Sequence, residues 1–158
     1  EIFKYSVVKT SILKSGVFDE PVDTMIYMTT AALGFAALEN ILYLFPPIGQ
    51  ILPFNELFMR TAAISFFRFA GATFLHALCS GLVGYFLALS ICRAKKKMSI
   101  TFLGILIATL LHGLYNFSII EIEGPLNLAI PLIILTGLAI FVISGFKKLK
   151  KMKSVCKI

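Results

Sequence analysis

Glu1, Glu39, His76, His112 and Asn116 are polar residues set in or beside strongly apolar runs. Glu39 lies in GFAALENILYL and His76 in FLHALCSG, while His112 and Asn116 occupy one face of LLHGLYNF at i and i+4. An ionisable side chain in hydrocarbon costs at least about 2.5–3.5 kcal/mol, so it normally marks a pathway or a reacting site. Two carboxylates and two imidazoles around a wetted membrane cavity can hydrolyse an amide in two ways. In the first, a desolvated Glu acts as general base on water, a His assists or protonates the leaving amine, and His and Asn donors hold the oxyanion, with no cofactor. In the second, Glu39, His76 and His112 ligate zinc, which lowers the pKa of a water to about 7, and Glu1 is the base. The H-E-x-x-H zinc motif is absent.

On the first scheme Glu1 activates water, His112 shares the proton or positions the water, and His76 with Asn116 holds the oxyanion. Glu39 orients a histidine or supplies a second acid. Each residue also has a plainer reading: Glu39 as the ion-pair partner of Arg68 or a lysine, His76 as a packing histidine, Asn116 as an interhelical hydrogen bond. Cys79, one turn from His76, reads as an inert buried thiol.

The elements that must carry these residues are membrane helices. The chain has 158 residues, 58% of them hydrophobic and only 15% charged, with a mean hydropathy of +0.91. That is an all-α polytopic membrane protein: one helical domain over 1–158, about four transmembrane helices and an N-terminal partial helix. Three segments reach the roughly 20 apolar residues that cross a bilayer, Met25–Phe45, Ser99–Ile119 and Leu126–Phe146. A fourth, Thr61–Cys92, would extend about 48 Å as a helix. Its first part, with Arg60 and Arg68, is expected along the interface, and its span from near Gly71.

Charge fixes the orientation. The net charge of +7 would point a soluble protein to nucleic acid, but here the basic residues flank apolar runs and no nucleic-acid partner is expected. Lys4, Lys9 and Lys14, then Arg93 and Lys95 to Lys97, then the lysines of KKLKKMKSVCKI can all face the cytoplasm if the spans alternate. The loop PPIGQILPFNE and the turn EIEGP then lie outside. Helix rise places Glu39 about 9 Å below the outer surface, His76 about 8 Å and His112 about 10 Å. The first segment, about 21 Å long as a helix, starts Glu1 roughly 9 Å below it if Lys14 is at the inner surface. One polar layer near the outer leaflet is therefore expected. Gly34, Gly71, Gly81, Gly84, Gly104 and Gly113 suit close helix approach, and Cys79, Cys92 and Cys156 are expected as free thiols.

The run PVDTMIYMTTAALGFAALENILYL, followed by FLHALCSGLVGY and HGLYNF, resembles the PrsW family of bacterial intramembrane proteases, relatives of the CAAX prenyl endopeptidases and bacteriocin-immunity-type membrane proteins. Phe35 and Glu39 fill its FxxxE motif with Asn40 following, His76 follows Phe74 and Leu75 one residue closer than F-x-x-H, and His112 with Asn116 fills the last motif. Glu1 and Lys4 fit the second Glu and the Lys of EExxK, whose first Glu would precede residue 1. The resemblance implies an endopeptidase of the bacterial cell membrane that cleaves a single-pass membrane protein, such as an anti-sigma factor, near its extracytoplasmic side. It implies either a glutamate-type or a zinc enzyme, of which the metal-free type is favoured here. Other classes compatible with the composition are a proton-coupled transporter, for which no internal repeat speaks, and a non-catalytic immunity or scaffold protein.

Overall fold

The computed structural model describes residues 1–11, 19–45, 53–92 and 97–152. Lys14, residues 46–52, the basic residues within 93–96 and those from 153 on lie outside the described residues. The described chain is helical: α1 (Ile2–Ser11), α2 (Asp23–Leu44), α3 (Phe54–Phe67), a π-helical turn (Arg68–Thr73), α4 (Phe74–Cys92), α5 (Lys97–Glu121) and α6 (Leu126–Lys150). Four helices are long and apolar enough to cross a membrane. Three of them match the expected spans to within a few residues.

The fourth differs. The expected break near Gly71 is a π-helical turn through which α3 continues into α4, giving one helix of 39 residues, Phe54–Cys92. At about 1.5 Å per residue it is about 58 Å long, nearly twice the hydrocarbon thickness. None of the residues of α3 is buried, whereas α4 is buried on nearly every face. Hydrophobic composition alone does not separate these cases, because lipid and protein interior accept the same side chains.

α4 is the central post. It packs most extensively on α2 and α5, and also on α6, while α1 rests on α2 and touches α4. The short α1 buries Lys4 and Val8, one turn apart on one face. α2 and α4 meet where Gly84 leaves no side chain: a Cβ there would lie 2.6 Å from the Met25 Cα, and the Thr24 hydroxyl donates to the Gly84 carbonyl at 2.8 Å. Gly34 and Gly113 do not serve helix approach as expected, since a Cβ at either would meet nothing within 4 Å. Gly84→Ala should therefore destabilise the fold by about 1–3 kcal/mol, the usual cost of overpacking. Gly34→Ala should stay within about 0.5 kcal/mol of the parent. Unfolding in mixed micelles followed by circular dichroism measures both.

Between α5 and α6 the chain turns at Gly124, whose φ of 78° suits glycine. Cys79 is a free, buried thiol, as expected. Cys92 is disulfide-bonded, which corrects the expectation of a free thiol.

Candidate active site

Five elements converge on one polar cluster. Glu1 precedes α1, Glu39 is on the last third of α2, His76 opens α4, His112 is on α5, and Arg68 projects from the π-helical turn. His76 and Ser80 are one turn apart on α4, so both side chains face the same partners.

Glu1 is the hub, and only 2% of its side chain is exposed. Its Oε1 accepts from the Lys4 ammonium at 2.6 Å and lies 3.3 Å from His112 Nδ1. Its Oε2 accepts from the Ser80 hydroxyl at 3.1 Å. Lys4 Nζ also lies 2.8 Å from His76 Nδ1, and His76 Nε2 lies 2.7 Å from Glu39 Oε2. An ammonium has only donors and a carboxylate only acceptors. His76 must then accept at Nδ1 and donate its Nε2–H to Glu39, one fixed tautomer of the neutral ring. The two imidazoles meet edge to face, their centroids 4.7 Å apart. Phe35 covers His76 at 5.6 Å.

The cluster is closed on one side and open on the other. His76 is buried, whereas the side chains of His112 and Glu39 are 20% and 31% exposed. Beyond them lies a cleft of about 270 Å³ lined in part by Tyr43, Arg68, Tyr115 and Asn116. Tyr43 and Asn116 stand one turn outward from Glu39 and His112.

Four of the five expected residues, Glu1, Glu39, His76 and His112, are therefore in direct contact. Asn116 is not: it is exposed in the adjoining cleft, and among the described residues no hydrogen bond reaches it. The oxyanion role expected of His76 also meets an obstacle, because its one N–H is given to Glu39. Sequence reasoning missed Ser80 and the structural part of Asn40. The i+4 spacing from His76 was the signal for Ser80.

The donor set suits zinc in type and spacing. Ligand atoms of Glu1, His76 and His112 all lie within 4.8 Å of one another, and one carboxylate with two imidazoles is a known zinc environment. This trio contains Glu1 in place of the expected Glu39, which sits instead on the far nitrogen of His76 as a carboxylate that orients a histidine ligand. The Lys4 ammonium stands between Glu1 and His76, so a metal ion held by the trio requires that side chain to turn aside.

A family model described as PrsW family intramembrane metalloprotease matches residues 1–144. The Protease PrsW of Bacillus subtilis strain 168 is 30% identical over 156 residues, covering 98% of this chain and 63% of its own. The Protease PrsW of Oceanobacillus iheyensis is 32% identical over 117 residues, 74% of this chain and 48% of its own. That of Geobacillus kaustophilus is 28% identical over 123 residues, 78% and 49%. The chain thus spans from about half to just under two-thirds of the length of these relatives. No solved structure matches it.

Proposed function

Because this chain belongs to the PrsW family of intramembrane proteases, we propose that it is an endopeptidase that cleaves a single-pass membrane protein near the extracytoplasmic face of a bacterial cell membrane. An anti-sigma factor is the substrate class that the family resemblance favours. The basic tail after α6 lies in the cytoplasm, on the positive-inside rule.

The observation that carries the reading is the Glu1–His112 pair at the edge of a buried polar cluster. Glu1, held by Lys4 and Ser80, accepts the Nδ1–H of His112 and orients its ring. The other nitrogen, Nε2, is left to take a proton from a water in the open cleft. That water attacks the scissile carbonyl, and the oxygen that gains charge finds a donor in the exposed Asn116 amide. His112 then returns the proton to the leaving amine, giving an acid and an amine. The buried Glu1 carboxylate stabilises the imidazolium between these steps, as an acidic partner does in other histidine-based hydrolases. Glu39 serves by fixing the tautomer and angle of His76, whose Nδ1 accepts from the Lys4 ammonium and so holds that charge against Glu1.

A second reading rests on the spacing of Glu1, His76 and His112. These residues would hold zinc, and zinc bound there supplies Lewis-acid polarisation of the carbonyl and acidifies a water. The test is cleavage of a tagged single-pass substrate by protein reconstituted in liposomes, with and without a strong zinc chelator. The metal-free reading expects undiminished cleavage after chelation and none in His112→Ala. Loss on chelation with recovery on added zinc would transfer the mechanism to the metal. Full activity in His112→Ala would remove both.

A further inference from the structure

One polar chain runs from the site into the π-helical turn. Glu39 Oε2, which accepts from His76, lies 3.3 Å from Arg68 Nη2. Arg68 Nε donates to Asn40 Oδ1 at 2.9 Å, and Asn40 Nδ2 donates to Thr73 Oγ1 at 2.9 Å. The Arg68 guanidinium also stacks 3.6 Å from the Tyr43 ring. Its side chain is 17% exposed. Asn40 thus bridges residues 68 and 73, the two ends of the π-helical turn.

Five residues of α-helix turn the chain through about 500°, leaving side chains at i and i+5 about 140° apart. A turn closed by i→i+5 bonds is wider and brings that pair back to nearly one face. In that geometry one amide reaches both. The π turn is therefore matched to Asn40, and the neighbours Glu39 and Asn40 divide the work: Asn40 secures the turn, and the turn delivers Arg68 to Glu39.

We propose that Arg68 is a positioning residue of the site, carried by the π-helical turn and Asn40 to hold Glu39 on His76 Nε2. It touches no reacting atom in the mechanism above and acts through Glu39. The inference deepens the proteolytic reading and, for its consequence on rate, rests on it. Arginine suits the task because its planar fork reaches Glu39 and Asn40 together while stacking on Tyr43, which a lysine cannot do.

The test uses two readouts. The chain has two histidines, so labelling the imidazole nitrogens with ¹⁵N gives a spectrum of His76 and His112 alone, assigned with His112→Ala. In the parent, His76 should show a strongly hydrogen-bonded Nε2–H, identified by its loss in Glu39→Gln. Arg68→Ala should move the His76 signals toward those of Glu39→Gln and leave those of His112 in place. Deletion of Ala70, which shortens the turn by one exposed residue, should do the same, and Arg68→Lys should fall between. In the cleavage assay Arg68→Ala should lower kcat by about 10–100-fold, the usual effect of a group that orients a site histidine, at unchanged KM. Arg68→Lys should recover part of it.

His76 signals of parental type in Arg68→Ala and in the Ala70 deletion would overturn the proposal. So would a loss confined to KM, which would make Arg68 a substrate contact. If the parent cleaves nothing, the proteolytic reading fails, and the His76 spectrum alone decides whether Arg68 positions Glu39.

Discussion

Glu1→Gln should lower the rate of peptide cleavage, per folded molecule in the membrane, by at least about a thousandfold. The replacement keeps the shape and leaves a carbonyl oxygen that can still accept from His112 or Ser80. What it removes is the negative charge that stabilises the imidazolium while His112 holds the proton of water. The equivalent acid-to-amide change in a serine-protease triad costs about 10⁴, and a general base contributes about 10²–10⁴ by itself. Because Glu1 is almost wholly buried, solvent cannot replace the missing charge. The measurement is single-turnover cleavage of a reconstituted substrate. A variant that retains more than a tenth of the parental rate would show that Glu1 does not act through His112. Zinc content determined on the same samples separates the two chemistries, since loss of metal together with activity in Glu1→Gln is the result expected of a ligand.

The charge pattern and helix lengths were sufficient to bring Glu1, Glu39, His76 and His112 together, because helix rise converts sequence position into depth once the bilayer is the ruler. Depth says nothing about azimuth. Asn116 has the right depth but faces a neighbouring cleft, and Gly34 and Gly113 have the right size but face open space. The carboxylate grouped with the two histidines is Glu1, whereas Glu39 reaches the opposite nitrogen of His76, a distinction that depends on which side of α4 each helix approaches. The π turn at Arg68–Thr73 was hidden for another reason. It lies in an otherwise regular apolar helix, and the amide bonded to both its ends belongs to the remote Asn40. Arg68 itself was visible only as an ordinary ion-pair partner for Glu39.

Lys4→Met tests the centre of the cluster from the other side. The side chains of Lys4 and Glu1 are each only about 2% exposed and 2.6 Å apart, so removing the ammonium leaves a carboxylate buried without its counter-charge. Breaking such a pair from one side typically costs about 3–5 kcal/mol, whereas replacing both partners is often close to neutral. Lys4→Met should accordingly destabilise the protein by about that much, and the double variant Glu1→Gln, Lys4→Met should recover most of the loss. That non-additivity is the signature of direct coupling, and unfolding in mixed micelles measures it. Equal stability of Lys4→Met and the parent would show that water or His112 already compensates Glu1. The same substitution bears on the metal. The Lys4 ammonium stands 2.6 Å from Glu1 Oε1 and 2.8 Å from His76 Nδ1, two of the atoms that would ligate zinc, and a positive charge there opposes a dication by simple Coulomb repulsion. Lys4→Met should therefore bind zinc more tightly than the parent in equilibrium dialysis, and Glu1→Gln should abolish the gain. Unchanged, weak binding in Lys4→Met would rule out the trio as a metal site and leave Lys4 as the one cation around which Glu1 and His76 are organised.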